Sequence, residues 1–270
     1  MELFSLKDRV IVVTGATGVL GTSFVNAIVE AGGTVVITST TESACVKRAE
    51  EINAAGGRAL GMAMNVLDEE SIHVAKDRIL KEFGKIDGLV NAAGGNVPEG
   101  VLQDEEDVFA MNIEGMKKAL VLNLWGTIIP SQVFGAEMAK NGRGSIVNIS
   151  SISPKSALTK VLGYSMGKAA IDIYTQWFAV EVAKRHGDKI RVNAITPGFF
   201  LTNQNKNLLT NPDGSLKPRA EAAIRQTPFK KFGKPDDLKG ALIYLLSDAS
   251  SFVTGSDLFV DGGFTKFSGV

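Results

Sequence analysis

The sequence predicts an α/β fold, a doubly wound parallel sheet of seven strands with helices on both faces. Seven short apolar runs, most of them rich in β-branched residues, alternate with longer stretches in which apolar residues recur at helical spacing. Strands that are apolar throughout belong in a parallel sheet covered on both sides, and the repeated unit favours right-handed crossovers. The predicted strands cover residues 10–13, 34–37, 59–64, 86–90, 145–149, 190–195 and 258–260.

Six helices are predicted between these strands. They cover residues 19–31, 42–55, 68–83, 104–140, 160–186 and 235–247. The acidic run at 104–107 is expected at the start of the fourth helix, because carboxylates interact favourably with the dipole at a helix N-terminus.

The segment 199–234 breaks the alternation of strands and helices. It is longer than an ordinary connection in a compact domain, and it contains the turn sequence Asn-Pro-Asp-Gly at 211–214. We therefore predict one domain over residues 1–270, with 199–234 as a small helical insertion that forms a lid over the substrate.

The composition excludes several functional classes. The 29 Lys and Arg residues balance 29 Asp and Glu residues, which argues against a general nucleic-acid binder. One cysteine, Cys45, and two histidines, His73 and His186, predict no disulfide within the chain and no metal site. The sequence shows no signal peptide and no uninterrupted apolar run of about 18 residues, so we expect a cytoplasmic protein without a membrane partner.

A glycine-rich turn joins the first predicted strand to the first helix, with Gly15, Gly18 and Gly21 spaced three apart. In a strand–turn–helix unit, such glycines permit a tight turn and let the helix N-terminus approach a diphosphate. The pattern indicates a Rossmann-type dinucleotide site. The alternative is a tight turn that binds no ligand.

The end of the second predicted strand bears on which dinucleotide binds. NAD-binding folds usually place an acidic residue here for the ribose, but the chain carries none before Glu42 and no Arg either. The missing acid removes repulsion against a 2′-phosphate, and Ser39 and Thr40 could donate hydrogen bonds to it. We expect NADP(H) or NAD(H), with the balance towards NADP(H).

Tyr164 and Lys168 are four residues apart in a predicted helix, so they share one face of it. A neighbouring ammonium lowers the pKa of a tyrosine, which could then exchange a proton with an alcohol or a carbonyl oxygen. Ser150 and Ser151 end the fifth predicted strand, at the edge where open sheets bind ligands. Taken alone, the Tyr–Lys spacing is more often an ordinary helical pair.

Seven motifs in order make the chain similar to the short-chain dehydrogenases/reductases over nearly its whole length. They are TGATGVLG (14–21), NAAG (91–94), NLWG (123–126), IVNISS (146–151), YSMGK (164–168), RVNAITPG (191–198) and VTGSDLFVDGG (253–263). The resemblance implies an NAD(P)-dependent enzyme that acts on CH–OH groups by hydride transfer at the nicotinamide. It also implies a homo-tetramer built from the 104–140 and 160–186 helices and the last strand.

The resemblance also implies roles for individual residues. Tyr164 would be the proton donor or acceptor, Lys168 would lower its pKa and hold the nicotinamide ribose, and Ser151, thirteen residues before the tyrosine, would position the substrate. Asn123 would support a water relay to the lysine. The residues expected to bind the cofactor are Gly15, Thr17, Gly18, Val19, Leu20, Gly21, Ser39, Thr40, Asn65, Val66, Asn91, Ala92, Ala93, Gly94, Tyr164, Lys168, Pro197, Gly198 and Thr202.

Three features depart from the usual family pattern. Val19 stands where single-domain members carry their middle glycine, so the phosphate turn is expected to have a slightly different shape. Asn65 replaces the aspartate that usually contacts adenine. The segment between Gly94 and Asn123 is a few residues longer than expected and could contribute Asn96 to the substrate pocket.

Further stretches resemble a sugar-acid subgroup of this family, the bacterial D-mannonate oxidoreductases, also called fructuronate reductases. These stretches include NAAGGNVPEG (91–100), MNIEGMKKAL (111–120), KVLGYSMGKAAID (160–172) and LLTNPDGS (208–215). The implied reaction interconverts D-mannonate and D-fructuronate. The alternatives are a gluconate 5-dehydrogenase or another polyol or keto-sugar reductase, a reductase of neutral carbonyls, and a catalytically silent nucleotide-binding regulatory protein.

The charge of the 199–234 segment supports an anionic substrate. It holds seven cationic and two acidic residues, a net +5, in a chain whose net charge is zero. Arg219 and Arg225 are the preferred carboxylate ligands because a guanidinium binds a carboxylate through two hydrogen bonds, and Lys155 is a third candidate. With Asn96, Ser151 and Tyr164 they complete the expected substrate site. The alternative is a solvated loop with spare lysines.

Overall fold

Seven parallel strands form one sheet in this structure, a computed structural model that describes residues 2–202 and 205–269. The strands are β1 (Val10–Thr14), β2 (Thr34–Ser39), β3 (Arg58–Ala63), β4 (Gly88–Asn91), β5 (Gly144–Ile149), β6 (Ile190–Pro197) and β7 (Asp257–Val260). Their order is β3-β2-β1-β4-β5-β6-β7, and all the pairings are parallel. The predicted doubly wound sheet is confirmed.

The α-helices cover both faces of this sheet. They are α1 (Val19–Glu30), α2 (Glu42–Ala54), α3 (Glu69–Phe83), α4 (Ile113–Asn141), α5 (Leu162–His186), α6 (Lys206–Leu209), α7 (Pro218–Gln226) and α8 (Lys239–Leu246). One apolar cluster joins the sheet to α1, α2 and α8, and a second joins it to α3, α4 and α5. Alternate strand residues enter the two clusters, for example Ile11 and Val12 of β1, because successive side chains of a strand point to opposite faces.

The fourth helix begins later than predicted. Residues 104–112 form turns and a short 3-10 helix, Val108–Ala110, so the prediction of a helix from residue 104 was wrong. The Asp107 side chain accepts a hydrogen bond from the Phe109 amide, and the Asn112 side chain accepts one from the Gly115 amide at 2.9 Å. Short polar side chains thus bind the nearby backbone and stop the helix from extending towards the N-terminus.

Helix α4 is long and apolar enough to cross a membrane, judged by length and composition alone. Half of its most apolar window is nevertheless buried within the protein, where α4 packs against α3, α5 and the sheet. Phe134 and Met138 are completely buried in the second apolar cluster. The apolar residues on this side of α4 therefore belong to the core of the domain.

The 199–234 segment carries two short helices, α6 and α7, and residues 203 and 204 lie outside the described part of the chain. Its two ends meet where Phe200 and Gly233 form a parallel bridge. A Cβ atom at Gly233 would overlap the Phe200 ring, so the close approach depends on glycine at this position. The segment is thus a loop closed at its base, which we call the lid.

Candidate active site

A cavity of about 520 Å³ opens at the carboxyl ends of the central strands. Its wall includes residues that directly follow β1, β2, β3, β4, β5 and β6, and residues of the lid. The strand order reverses between β1 and β4, and open α/β sheets bind their ligands in the crevice beside such a reversal. The volume lies within the roughly 300–1,000 Å³ typical of ligand pockets.

The turn between β1 and α1 has the shape needed to hold a diphosphate. Gly15 has φ +61°, and a Cβ atom there would lie 2.8 Å from Cα of Ala93. A Cβ atom on Gly21 would overlap the carbonyl oxygen of Gly15. Gly18 is the N-cap of α1 and offers no capping side chain, so the first amides of the helix remain available to an anion. Val19 begins the helix and also lines the cavity.

The part of the cavity that is expected to hold the adenosine is formed after β2 and β3. Ser39, Thr40, Asn65 and Val66 all line it. The Ser39 hydroxyl accepts a hydrogen bond from the Thr41 amide at 3.2 Å and lies 3.1 Å from Sγ of Cys45. Because the Ser39 hydroxyl already has these partners, the exposed Thr40 is the better placed hydroxyl to donate a hydrogen bond to a ribose or a 2′-phosphate. The Asn65 side-chain oxygen accepts a hydrogen bond from the Leu67 amide at 3.0 Å.

The segment after β4 lies against the glycine turn. The Thr14 hydroxyl accepts hydrogen bonds from the amides of Ala92 and Ala93, at 3.1 and 3.0 Å. Ala92, Ala93 and Gly94 line the cavity, as expected, but Asn91 does not. Its amide group is buried and donates hydrogen bonds to Ser131 and Asn148, since Asn91 is the last strand residue and points towards α4. The side chain of Asn91 therefore does not face the cavity, contrary to the expectation that it contacts the cofactor.

Ser151, Tyr164 and Lys168 come together on one wall of the cavity. The Ser151 side chain lies near enough to the Tyr164 hydroxyl to lower its pKa. Nζ of Lys168 lies 5.6 Å from the centroid of the Tyr164 ring and donates a hydrogen bond to the carbonyl oxygen of Ile149 at 2.7 Å. The end of β5 and the first turns of α5 thus place two hydroxyls and one ammonium around the same space.

Burial controls the proton affinities of this pair. Burial raises the pKa of Tyr164 above its usual value, and the Ser151 side chain opposes this rise. Burial also lowers the pKa of Lys168 to about 8, against the effect of the Asp172 carboxylate. Burial thus opposes the expected lowering of the Tyr164 pKa, and the effect of Lys168 on that pKa stays a prediction.

Asn123 lies behind the cavity wall. Its side-chain nitrogen donates to the carbonyl oxygens of Gly95 and Ala119, at 2.8 and 2.7 Å, and its oxygen accepts from the Gly95 amide at 3.0 Å. A Cβ atom at Gly94 would lie 2.6 Å from this oxygen and 3.4 Å from Nζ of Lys168. Asn123 therefore fixes the backbone beside Lys168, and its part in a water relay stays a prediction.

The sequence-predicted substrate residues do not all meet at the cavity. Asn96 and Arg219 line it, and the Arg219 guanidinium donates to the hydroxyl and the carbonyl of Thr159, at 2.6 and 3.0 Å. Lys155 is not in the wall, because its ammonium lies 3.2 Å from Asp172 and is directed away from the substrate space. Arg225 is exposed on the outer side of α7. Contrary to expectation, neither Lys155 nor Arg225 is placed to bind a substrate carboxylate in the cavity.

Other wall residues were not predicted from the sequence. They are mostly apolar and come from the ends of strands, the segments after β4 and β5, helix α4 and the lid: Met64, Gly95, Leu122, Ile149, Ile152, Leu158, Val161, Phe199, Phe200, Asn205, Leu208 and Leu209. Positions just after β3 and β5 could have been found from the rule that ligands bind at the carboxyl edge of the sheet. The position of the lid residues depends on how α6 and α7 fold back, which no sequence pattern states.

The described residues hold no group of three or more His, Cys, Asp and Glu that could bind a metal ion. The features of the cavity fit a dinucleotide instead. They comprise a glycine turn that side chains would fill, a helix N-terminus at the diphosphate position and the carboxyl edge of a parallel sheet.

Known proteins match this chain over nearly its full length. A family model described as Enoyl-(Acyl carrier protein) reductase matches residues 15–265. The "Uncharacterized oxidoreductase UxuB" of Bacillus subtilis is 42% identical over 275 residues, which span 98% of each protein.

Two solved structures share the fold closely. The Haemophilus influenza protein assigned as a D-mannonate oxidoreductase, solved with bound NAD, is 38% identical and superposes with a TM-score of 0.88 over 98% of each chain. A gluconate 5-dehydrogenase from Burkholderia cenocepacia, in complex with NADP and tartrate, is 29% identical, also with a TM-score of 0.88 over 98% of each chain. The chain therefore belongs to the short-chain dehydrogenase/reductase family, and it is an NAD(P)-binding oxidoreductase that acts on CH–OH groups.

Proposed function

We propose that this enzyme oxidises and reduces a sugar acid, and that its reaction interconverts D-mannonate and D-fructuronate. The observation that carries the proposal is Arg219, a lid cation in the wall of the cavity that also holds Ser151 and Tyr164. The similarity to the Haemophilus influenza and Burkholderia cenocepacia proteins supports the same class of substrate.

The cavity residues divide the chemistry among them. When bound, the nicotinamide supplies or accepts a hydride. Tyr164 donates a proton to the carbonyl oxygen during reduction and takes one from the alcohol during oxidation, while Ser151 holds that oxygen by a hydrogen bond. Lys168 contributes positive charge beside Tyr164 and binds the nicotinamide ribose. The turn that contains Gly15 and Gly18 binds the diphosphate through backbone amides.

Arg219 binds the carboxylate of the substrate. Its guanidinium is already held by Thr159, so the lid helix α7 is tied to the segment between β5 and α5. A planar guanidinium can bond a carboxylate through two parallel hydrogen bonds. The other residue of this end, Asn96, can donate to a sugar hydroxyl.

The cofactor is NADP(H) or NAD(H), with the balance towards NADP(H). The support is the acid-free end of β2, where Thr40 is exposed and the first acidic residue, Glu42, already belongs to α2. A carboxylate at this place would repel a 2′-phosphate, and here none precedes α2. The related solved structures include one with NAD and one with NADP.

The enzyme is proposed to be a cytoplasmic homo-tetramer, as the family resemblance implies. Exposed apolar side chains on α4 and α5 support this, among them Trp125, Ile173 and Trp177, which are 48%, 63% and 59% exposed. Light scattering of the purified protein measures the state, and a monomer at micromolar concentration would contradict the proposal.

The test of the function is D-mannonate oxidation measured with NAD and with NADP in parallel. We expect turnover with both, and a higher kcat/KM with NADP. D-gluconate tests the alternative of a gluconate 5-dehydrogenase, and D-mannitol serves as the uncharged control. Equal kcat/KM values for D-mannonate and D-mannitol would contradict a sugar-acid substrate, and faster turnover of D-gluconate would favour the alternative.

A further inference from the structure

Asp172 lies on α5 one helical turn after Lys168, and it is only 8% exposed. Because residues four apart share one face of a helix, Tyr164, Lys168 and Asp172 form a row along α5. The proposed proton transfer uses the first two and leaves the third unassigned. A buried carboxylate is costly unless it is paired and hydrogen-bonded, so its partners indicate what it does.

Two partners connect Asp172 to the segment that carries Ser151. Its Oδ1 accepts a hydrogen bond from the hydroxyl of Ser150, the residue directly before Ser151. Its Oδ2 lies 3.2 Å from Nζ of Lys155, in the turn after β5. Asp172 therefore joins α5 to the end of β5, and these two elements carry the hydroxyls that meet the substrate.

Lys155 extends this cluster to β6 and β7. Its ammonium lies 3.6 Å from Oδ2 of Asp257 on β7, and Asp257 in turn accepts a hydrogen bond from Thr196 on β6 at 2.5 Å. Burial by itself would lower the pKa of Lys155, but Asp172 and Asp257 raise it above its usual value. Burial, with Asp172 adding to it, raises the pKa of Asp257.

The groups that face Lys168 come from several elements. Helix α5 contributes Tyr164 and Asp172, and β5 contributes the carbonyl oxygen of Ile149, whereas the ammonium of Lys155 contacts Asp172 and Asp257. Helix α4 contributes the neutral Asn123, beside the Gly94 backbone. Of the charged groups, Asp172 is the one whose carboxylate supports the protonated form of Lys168 against burial.

We propose that Asp172 is a positioning residue for the Tyr164–Lys168 pair. Its carboxylate keeps the charge on Lys168 in a site from which water is largely removed and, through Ser150, holds the strand end that carries Ser151. The inference rests on the proposed roles of Tyr164, Lys168 and Ser151. It adds a residue on α5 to the site, outside the cavity wall and without contact to the substrate.

The test is the pH dependence of sugar-acid reduction. Reduction needs Tyr164 and Lys168 protonated, so its rate falls as pH rises through the pKa of the pair. In Asp172→Asn the lost negative charge makes Lys168 easier to deprotonate, and the midpoint of this fall should move down by on the order of 1 pH unit. Asp172→Glu, which keeps the charge, should restore the midpoint towards that of the wild type.

Asp257→Asn is the matched control, because it removes a carboxylate from the same cluster that faces Lys155. Its midpoint should stay at the wild-type value. A lower kcat with an unmoved midpoint in Asp172→Asn would overturn the inference and leave Asp172 a structural residue. An equal shift in Asp257→Asn would also overturn it, since the effect would then belong to the cluster as a whole.

A measurement without substrate separates this inference from the proposed function. The side chain of Lys168 can be titrated by NMR in protein labelled with ¹³C at lysine Cε, with the signal assigned through Lys168→Arg. A midpoint near pH 8 that moves down in Asp172→Asn supports the inference even if no sugar acid is turned over. An unmoved Lys168 midpoint in folded Asp172→Asn overturns it, whatever the substrate proves to be.

Discussion

The two ends of the cavity are built from different parts of the chain. The end near β1 and β2 is mainly backbone, namely a glycine turn, the start of α1 and the segment after β4. The end under the lid is formed by side chains that α6 and α7 bring over the sheet, with Arg219 held by Thr159. A site made of backbone amides binds a phosphate group whatever the neighbouring side chains are. A site made of side chains can differ between relatives and can therefore select the substrate.

The largest effect on turnover is expected from a substitution between the two ends of the cavity. Tyr164→Phe removes the hydroxyl that handles the proton and keeps the ring, so turnover should fall by about 10²–10⁴-fold. Cofactor affinity, measured by fluorescence titration, should change less than about threefold. Activity close to the wild-type value would end the assignment of Tyr164.

The backbone end is tested by Gly21→Ala. The added Cβ atom would overlap the carbonyl oxygen of Gly15. Because this oxygen belongs to the backbone, the overlap cannot be relieved by the movement of a side chain. We expect a loss of about 1–3 kcal/mol of folding stability and an accompanying loss of cofactor affinity. Thermal unfolding and cofactor titration measure these two effects.

Gly240→Ala is the control for this substitution, because a Cβ atom there meets no atom within 4 Å. It lies in α8 and should leave cofactor affinity unchanged. If Gly21→Ala bound the cofactor as tightly as Gly240→Ala, the close packing of the turn would not matter for binding.

The side-chain end is tested by Arg219→Ala. The loss of a charge-assisted bond to the carboxylate should raise the KM for D-mannonate roughly 10- to 100-fold. The KM for D-mannitol and the affinity for the cofactor should stay nearly the same.

Arg225→Ala is the matched control on the same helix, because that side chain is exposed and outside the cavity wall. It should behave like the wild type. Equal changes of KM for the charged and the uncharged compound in Arg219→Ala would remove the carboxylate role and leave Arg219 as a tie between the lid and Thr159.

Much of the fold was predictable because it depends on local patterns. The apolar runs located all seven strands to within a few residues, since a parallel strand covered on both faces must be apolar throughout. The fourth helix was extended too far because helical spacing does not register side-chain caps such as those of Asp107 and Asn112. The motifs that resemble the family located Ser151, Tyr164 and Lys168, which the structure brings together.

The candidates that the structure removed from the cavity share one cause. Lys155 and Arg225 were chosen for residue type and position in the chain, and Asn91 was chosen from the family motif, but none of these states where a side chain points. Lys155 turns towards two carboxylates, and Asn91 turns towards α4. Burial, which sequence reasoning could not measure, raises the pKa of Tyr164, and the expected effect of Lys168 on it stays a prediction.

The sequence by itself determined the seven-stranded sheet, the glycine turn and the family of this enzyme, because periodicity and short motifs act within one or two elements of the chain. Only the tertiary structure decided which lid cation lines the cavity and that the carboxylate of Asp172 contacts Ser150 and Lys155 beside Lys168. Those positions follow from contacts between residues far apart in sequence, such as Arg219 with Thr159 and Lys155 with Asp257. In such contacts, the orientation and the protonation state of each side chain depend on its burial and on the partners that compete for it.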